Sequence, residues 1–192
     1  MTPTAKAILG EADLPKSPAH WGDLPGYGQA IDPKKLPPYT EDLGNGVTHE
    51  VEIDGTERWK LNGERHRDGD LPAVILADGT QAWFQDGKLH RDGDLPAVIL
   101  ADGTQYWYQH GQLHRDGDQP AIVDPNGTQY WYQHGKRHRD GDKPAVVRAD
   151  GSVEWHQRGR LHRDGDKPAV IRPDGTQQWW VNGGKVSPPA GK

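Results

Sequence analysis

The pentapeptide HRDGD occurs five times in this chain, and each copy begins 24 residues after the previous one. Tryptophan keeps the same spacing, and no insertion or deletion interrupts the middle of the series. The HRDGD copies begin at His66, His90, His114, His138 and His162, and the periodic tryptophans are Trp59, Trp83, Trp107, Trp131, Trp155 and Trp179. A fixed period of this length is typical of repeat proteins in which each unit contacts only its neighbours.

Each 24-residue unit contains two strand-like stretches and two turn signals. The stretch PAVILA (72–77 and 96–101) is apolar and β-branched, and TQYWYQ (104–109) is aromatic. Asp-Gly or Asn-Gly stands between such stretches, which predicts a hairpin whose two-residue turn has positive φ. A second break is predicted at Gly87, Gly111, Gly135 and Gly159. The sequence therefore predicts one β-hairpin per unit.

Stacking these hairpins gives an all-β fold over residues 45–186, a single elongated sheet formed as a meander of about 11 strands. Equivalent residues of successive units then lie about 9.6 Å apart, which is too far for tryptophan rings to contact one another. We therefore expect valine and isoleucine side chains between the tryptophans. The first unit (47–59) and the last (181–192) are degenerate and more polar, as expected of units that cap a soluble array.

The segment 1–44 differs from the array. It contains seven prolines, few aliphatic residues and no periodicity. It is therefore predicted to be an extended Pro-rich arm, and residues 187–192 a C-terminal tail.

Composition excludes several classes of protein. Only 32% of the residues are hydrophobic, against roughly 45–50% (glycine included) in an ordinary domain, so the core must be thin. There is no cysteine, which excludes disulfides and thiolate sites. The net charge is −5, with acids and bases interspersed, which argues against nucleic acid and membrane partners. Neither a signal peptide nor a long apolar run is present, so the cytoplasm is the expected place of synthesis.

The stretch WYQHGKRHRDGDKPAVVRADGS (131–152) resembles MORN-type repeats, particularly their variant form, as found in MORN-like proteins of bacteria and phages. The shared features are an aromatic pair, an x-x-Gly-Lys-x turn, a His-x-x-Gly element and a closing Asp-Gly. Three residues rather than two separate Trp131 from Gly135, and Arg139 replaces the glycine expected after the histidine. The resemblance covers 45–186 and implies β-hairpin sheets that act as scaffolds, dimerisation surfaces or docking platforms. Lipid binding, attributed to some members, is disfavoured here by the charge balance.

The HRDGD motif has three interpretations. Catalysis is disfavoured, because an enzyme assembles one site from dissimilar residues, and the other kinase motifs that accompany HRD are missing. Calcium could bind the paired carboxylates, but it needs six to eight oxygens, and the next pair is about 9.6 Å away.

The third interpretation is a structural turn network. Each arginine pairs with an aspartate of its own or the neighbouring unit, aspartate bonds its own backbone, and histidine caps a nearby carbonyl. The residues of this network are His66, Arg67, Asp68, Asp70, His90, Arg91, Asp92, Asp94, His114, Arg115, Asp116, Asp118, His138, Arg139, Asp140, Asp142, His162, Arg163, Asp164 and Asp166. The sequence predicts no catalytic residue, no metal site and no cofactor.

Four tyrosines form a candidate ligand stripe, Tyr106, Tyr108, Tyr130 and Tyr132. They flank periodic tryptophans, which are expected in the core, and could bind a glycan or another small ligand on the opposite face.

Two functions follow from these observations. The first is a non-enzymatic structural or docking protein, whose arm (1–44) binds protein partners in a larger assembly such as a phage virion. Self-association of the chain is compatible with this role. The alternative is a glycan- or small-ligand-binding module that uses the tyrosine stripe.

Overall fold

The computed structural model describes residues 37–189. This part of the chain contains 23 strands and no helix. The strands are β1 (Tyr39–Gly44), β2 (Val47–Val51), β3 (Glu57–Leu61), β4 (Glu64–Arg65), β5 (Val74–Ile75), β6 (Gln81–Ala82), β7 (Phe84–Gln85), β8 (Lys88–Leu89), β9 (Val98–Ile99), β10 (Gln105–Tyr106), β11 (Tyr108–Gln109), β12 (Gln112–Leu113), β13 (Ile122–Val123), β14 (Gln129–Tyr130), β15 (Tyr132–Gln133), β16 (Lys136–Arg137), β17 (Val146–Val147), β18 (Val153–Glu154), β19 (His156–Gln157), β20 (Arg160–Leu161), β21 (Val170–Ile171), β22 (Gln177–Val181) and β23 (Gly184–Val186). The predicted all-β class is confirmed for these residues.

One antiparallel sheet follows the order of the chain. Its strands lie in the order β1-β2-β3-β5-β6-β9-β10-β13-β14-β17-β18-β21-β22-β23, and β4 pairs with β3 at its side. The remaining strands form four two-stranded hairpins, β7-β8, β11-β12, β15-β16 and β19-β20. Each unit therefore contributes two strands to the main sheet and one small hairpin beside it.

The main sheet has 14 strands along this order, more than the predicted 11 or so, because both ends add strands. Strand β1 lies within the segment 1–44 that the sequence assigns to the arm, and it pairs with β2 from Tyr39 opposite Val51 to Gly44 opposite Val47. The remainder of the predicted arm, 1–36, and the end of the tail, 190–192, lie outside the described residues.

The two turns of each unit are of different kinds. In the Asp-Gly turn the Leu76 amide donates to the Thr80 carbonyl and the Gly79 amide to the Leu76 carbonyl, both at 2.9 Å. Only Gly79 has a positive φ there, so the loop has three residues and a glycine bulge. The predicted two-residue turn is therefore wrong at this position. Asp78 accounts for the difference, because its Oδ1 accepts the Thr80 amide at 2.8 Å, as short polar side chains do in turns.

The two-residue turn occurs instead at the second break. Asp86 and Gly87, the residues between β7 and β8, both have positive φ, and the same holds for His110 with Gly111 and for Arg158 with Gly159. Two adjacent residues of positive φ are what the favoured type I′ hairpin turn requires. Each 24-residue unit thus contains two hairpin turns rather than one.

The core is thin and consists of the same residues in each unit. The periodic tryptophans from Trp59 to Trp155 are 6–8% exposed. Five alanines, also 24 residues apart, are fully buried: Ala73, Ala97, Ala121, Ala145 and Ala169. The amide of Trp107, for example, donates to the Ala121 carbonyl at 2.9 Å. Arginine guanidinium groups also cover the tryptophan rings, and Val74, Val146 and Val170 are buried in the same core.

Candidate functional site

The HRDGD motif forms a loop between the small hairpin of one unit and the first sheet strand of the next. Its last two residues, such as Gly93 and Asp94, have positive φ in all five copies. Glycine adopts this conformation freely and aspartate tolerates it better than most residues do. The Gly-Asp pair therefore turns the chain sharply and presents its aspartate to the following unit.

The arginine of each loop from the second to the fifth has three partners at once. The Arg115 guanidinium lies 3.9 Å from the centre of the Trp107 ring. Its Nη1 donates to the Pro120 carbonyl at 3.3 Å. Its Nε and Nη2 donate to the two carboxylate oxygens of Asp94 at 2.7 and 2.9 Å. The planar guanidinium group thus connects the core of its own unit to the loop of the preceding unit.

The same bidentate pair recurs at four joints between units. The Nε–Oδ1 distance is 2.7 Å in every case, and the pairs are Arg91 with Asp70, Arg115 with Asp94, Arg139 with Asp118 and Arg163 with Asp142. Of the pairings that the sequence left open, the one in the structure is therefore with the neighbouring unit.

These contacts lower the pKa of the second aspartate of the loop. Arginine hydrogen bonds lower the pKa of Asp70 and Asp94 below its usual value. At the later joints a lysine joins the arginine, since Lys143 Nζ lies 2.7 Å from Asp118 Oδ2 and Lys167 Nζ lies 2.7 Å from Asp142 Oδ2. The arginine and then the lysine lower the pKa of each of these two carboxyls to about 2.

The histidine of each loop connects the units in the opposite direction. His90 Nδ1 accepts the backbone amide of His110 at 3.1 Å, and His90 Nε2 lies 3.0 Å from Asp92 Oδ1. Because Nδ1 is an acceptor, the proton of the neutral ring belongs on Nε2, which donates to the aspartate. The predicted histidine–carbonyl bond is therefore wrong, because the histidine accepts an amide instead.

The first aspartate of the loop completes the network within its own unit. Asp92 Oδ2 accepts Gln85 Nε2 at 2.8 Å, and equivalent glutamines bind Asp116, Asp140 and Asp164. Hydrogen bonds from His90 and Gln85 lower the pKa of Asp92. Both aspartates of the loop thus accept hydrogen bonds from other side chains of the array. This arrangement fits the interpretation of the motif as a structural turn network.

The ends of the array lack parts of this network. Arg67 lies 3.5 Å above the Trp59 ring and donates to the Pro72 carbonyl, but glycine occupies position 46, where a partner aspartate would stand. At the other end, Ser187 occupies the place of the arginine that would bind Asp166.

The four stripe tyrosines are brought close together and are half-buried. Tyr106 and Tyr130 both lie opposite Ile122, on either side of it in the sheet, and the Tyr106 and Tyr108 ring centres are 6.5 Å apart. Arg137 Nη2 donates to the Tyr132 hydroxyl at 3.2 Å. Burial raises the pKa of three of these phenols, those of Tyr106, Tyr108 and Tyr130.

In the unit that contains Trp155, polar residues replace this tyrosine cluster. Glu154 and His156 occupy the positions of Tyr130 and Tyr132, and Arg148 occupies that of Asp124. Glu154 Oε1 accepts Arg148 Nη2 at 2.5 Å, and Glu154 Oε2 lies 3.0 Å from His156 Nε2. The His156 hydrogen bond, and then Arg148, lower the pKa of Glu154 to about 2. This trio was missed in the sequence, where its only signal is the departure from the repeat.

Within residues 37–189 there is no group of three or more histidine, aspartate or glutamate side chains that could hold a metal ion. The same part of the chain has no helix long and apolar enough to cross a membrane. Comparison with known proteins found neither a matching family model nor a curated protein of similar sequence.

Proposed function

We propose that this chain is a non-enzymatic structural protein whose repeat array is a docking platform, held on a larger assembly by its N-terminal arm. The observation that supports this most is the repetition of one joint: the HRDGD side chains bind the neighbouring unit in the same way at successive loops. Groups used in this way stabilise the array, and a role in chemistry is not needed to explain them. The MORN resemblance points to the same class of function.

Exposed positions of the repeat vary, whereas the buried tryptophan and alanine positions do not. Directly after the HRDGD motif stand Leu71, Leu95, Gln119, Lys143 and Lys167 in succession. Leu71 and Leu95 are 48% and 41% exposed. A repeated tryptophan–alanine core with a changing surface is what a platform needs if its two ends bind different parts of a partner.

Charge also differs along the array. Residues 39–128 contain 17 acidic and 7 basic residues, whereas residues 129–186 contain 7 acidic and 11 basic residues. Such an asymmetry orients a charged partner on approach. We propose a protein partner within a larger particle, for which a phage virion is the leading candidate.

The arm is tested by deleting residues 1–36, which leaves strand β1 and its pairing with β2 in place. In cells that produce the protein, the full chain should sediment with large particles in a density gradient. The shortened chain should remain in the light fractions and keep its β-sheet circular dichroism spectrum. Equal sedimentation of the two chains would contradict the proposed role of the arm.

A second candidate function, glycan binding, is favoured by the pairing of Tyr106 and Tyr130 on either side of Ile122. Adjacent half-buried rings can stack against sugar rings. Titration with cell-wall fragments, followed by tyrosine and tryptophan fluorescence, should give a saturable change that the double variant Tyr106→Ala, Tyr130→Ala loses. A change of the same size in that variant would exclude the stripe as the binding site.

A further inference from the structure

The last HRDGD loop has two of the three side chains that form a joint. At each of four joints between units, an aspartate carboxylate and a tryptophan ring bind the same arginine. The equivalent aspartate and tryptophan at the end of the array are Asp166 and Trp179, and Ser187 stands where the arginine would be. This joint therefore has its acceptors but lacks its donor.

The two remaining groups keep the geometry of the other joints. Trp179 Nε1 donates to the Asp166 carbonyl at 3.2 Å, and the equivalent hydrogen bond is 3.0–3.1 Å long at the four complete joints. Asp166 also has the same positive φ, 54°, as Asp70. The ring and the loop are thus positioned without the arginine, so the site is formed before a ligand arrives.

The exposed Asp166 carboxylate has no hydrogen-bond or ion-pair partner within residues 37–189. Every other charged side chain of the surrounding cleft is paired. These pairs are Arg163 with Asp142, Lys167 with Asp142 and Asp164 with His162. The charge that the cleft offers to a ligand is therefore negative.

The Trp179 ring is uncovered. The five preceding periodic tryptophans have a guanidinium 3.5–3.9 Å from the ring centre and are only 6–8% exposed. No guanidinium of the described residues lies over Trp179, which is more exposed than those five. Asp166, Trp179 and Trp180 line one cleft of about 180 Å³. An indole ring beside a carboxylate attracts a cation, and a planar guanidinium can contact both at once.

The main sheet has an open edge at the same end of the array. Gln177 and Gln178 of β22 pair with β21 on one side, and β23 pairs only with the later residues of β22, Trp179 to Val181. In the preceding units a strand of the next unit lies against the equivalent edge. An uncharged strand edge without a neighbour is a place where an extended segment of another protein can bind.

We propose that this end of the array binds a partner protein through an arginine side chain of the partner. The guanidinium stacks on the Trp179 ring and donates to the Asp166 carboxylate, and the partner backbone lies along the open edge of β22. The segment 1–36 contains no arginine, so the arm of the same chain does not supply this group. The site is separate from the arm, and it holds whether or not the arm anchors the array.

The proposal is tested with the full-length chain and three peptides, acetyl-Gly-Arg-Gly-amide and its analogues with lysine or citrulline in place of arginine. NMR titration follows the indole N–H of Trp179. The arginine peptide should shift this signal saturably. Citrulline has the shape of arginine without the charge, and lysine has the charge without the planar set of donors, so each should bind several-fold more weakly.

Three variants make the test specific. Ser187→Arg introduces the residue that the complete joints have at this position, so it should fill the site and weaken the arginine peptide about tenfold or more. Asp166→Asn removes the charge of the acceptor and should weaken the peptide several-fold. Asp174→Asn is the control, because it removes a charge from the same unit outside the cleft and introduces the residue found at position 126. It should bind as the unaltered chain does.

Three results would overturn the site. They are no saturable shift with the arginine peptide, equal binding of the citrulline peptide, and unaltered affinity in both the Asp166 and the Ser187 variants. The oligomeric state of the chain, measured by analytical ultracentrifugation, tests the choice of partner. Self-association that Ser187→Arg abolishes would assign the site to a second copy of this chain and overturn the proposal of a different protein.

Discussion

Replacing Arg115 by alanine tests the reasoning about the joints most directly. The side chain is 16% exposed and has three kinds of contact: the Trp107 ring at 3.9 Å, the Pro120 carbonyl at 3.3 Å and the Asp94 carboxylate at 2.7 and 2.9 Å. The substitution removes all three and uncovers a tryptophan that is 7% exposed.

The expected loss follows from these contacts. Cation–π contact with a largely buried ring contributes about 1–2 kcal/mol. The hydrogen bond to the carbonyl contributes about 1 kcal/mol. The ion pair adds at most about 1 kcal/mol, because Asp94 is 60% exposed and solvent screens such pairs. We therefore expect Arg115→Ala to lower the free energy of unfolding by about 3 kcal/mol.

Two matched variants separate these contributions. Asp94→Asn removes only the charge of the partner and should cost less than about 1 kcal/mol. Arg67→Ala removes a guanidinium that covers Trp59 and binds Pro72 but has no aspartate at position 46. It should therefore cost nearly as much as Arg115→Ala, with a difference no larger than the ion pair.

Urea unfolding monitored by tryptophan fluorescence gives the free energies, and hydrogen exchange of the Trp107 and Ala121 amides gives the local value in case the array unfolds in stages. If Arg115→Ala were no more destabilising than Asp94→Asn, the guanidinium over the tryptophan would not be a principal source of stability.

Three other perturbations have defined outcomes. His114→Ala removes the ring nitrogen that accepts the His134 amide at 3.1 Å. It should destabilise the array by about 1–3 kcal/mol and accelerate hydrogen exchange of the His134 amide. Unchanged hydrogen exchange would contradict this hydrogen bond. Asp118 and Asp142 have a folded-state pKa of about 2 against an ordinary 3.8, so their stabilisation is present above pH 3.8 and is lost as the pH falls toward 2. The Tm should fall between about pH 4 and pH 2. It should fall less steeply in the double variant Asp118→Asn, Asp142→Asn. Gly127→Ala places a side chain at a φ of 89° and should lower the free energy of unfolding by about 1 kcal/mol or more, as measured by thermal unfolding. A Tm equal to that of the unaltered chain would contradict a strained backbone at this position.

Much of the fold follows from the sequence because the period is exact to the residue. HRDGD and tryptophan at intervals of 24 residues require identical units, and β-branched stretches between glycines require strands. The turn type was missed at Asp78 because pattern alone does not show whether an aspartate adopts positive φ or accepts the amide two residues later, as it does here.

The site was only partly predictable for a related reason. A constant spacing of 8 residues from Trp107 to Arg115, and of 21 from Asp94 to Arg115, recurs through the array, but spacing does not reveal which groups face each other. The folded chain brings the guanidinium over the ring and the carboxylate beside it. His156 could have been noticed as a departure from tyrosine, yet its hydrogen bond with Glu154 is visible only in the folded chain.

The joint between units has a consequence for the length of the protein. Because each of these loops binds the following unit through the same atoms, removing residues 90–113 would place Arg115 opposite Asp70 and keep the arginine–aspartate pair. The stretches at 66–80 and 90–104, which contain the loop, are identical and lie one unit apart, as expected if units are added or removed whole. The array can therefore lengthen or shorten in steps of one unit, and the reach of the protein can change in evolution without a change in its architecture.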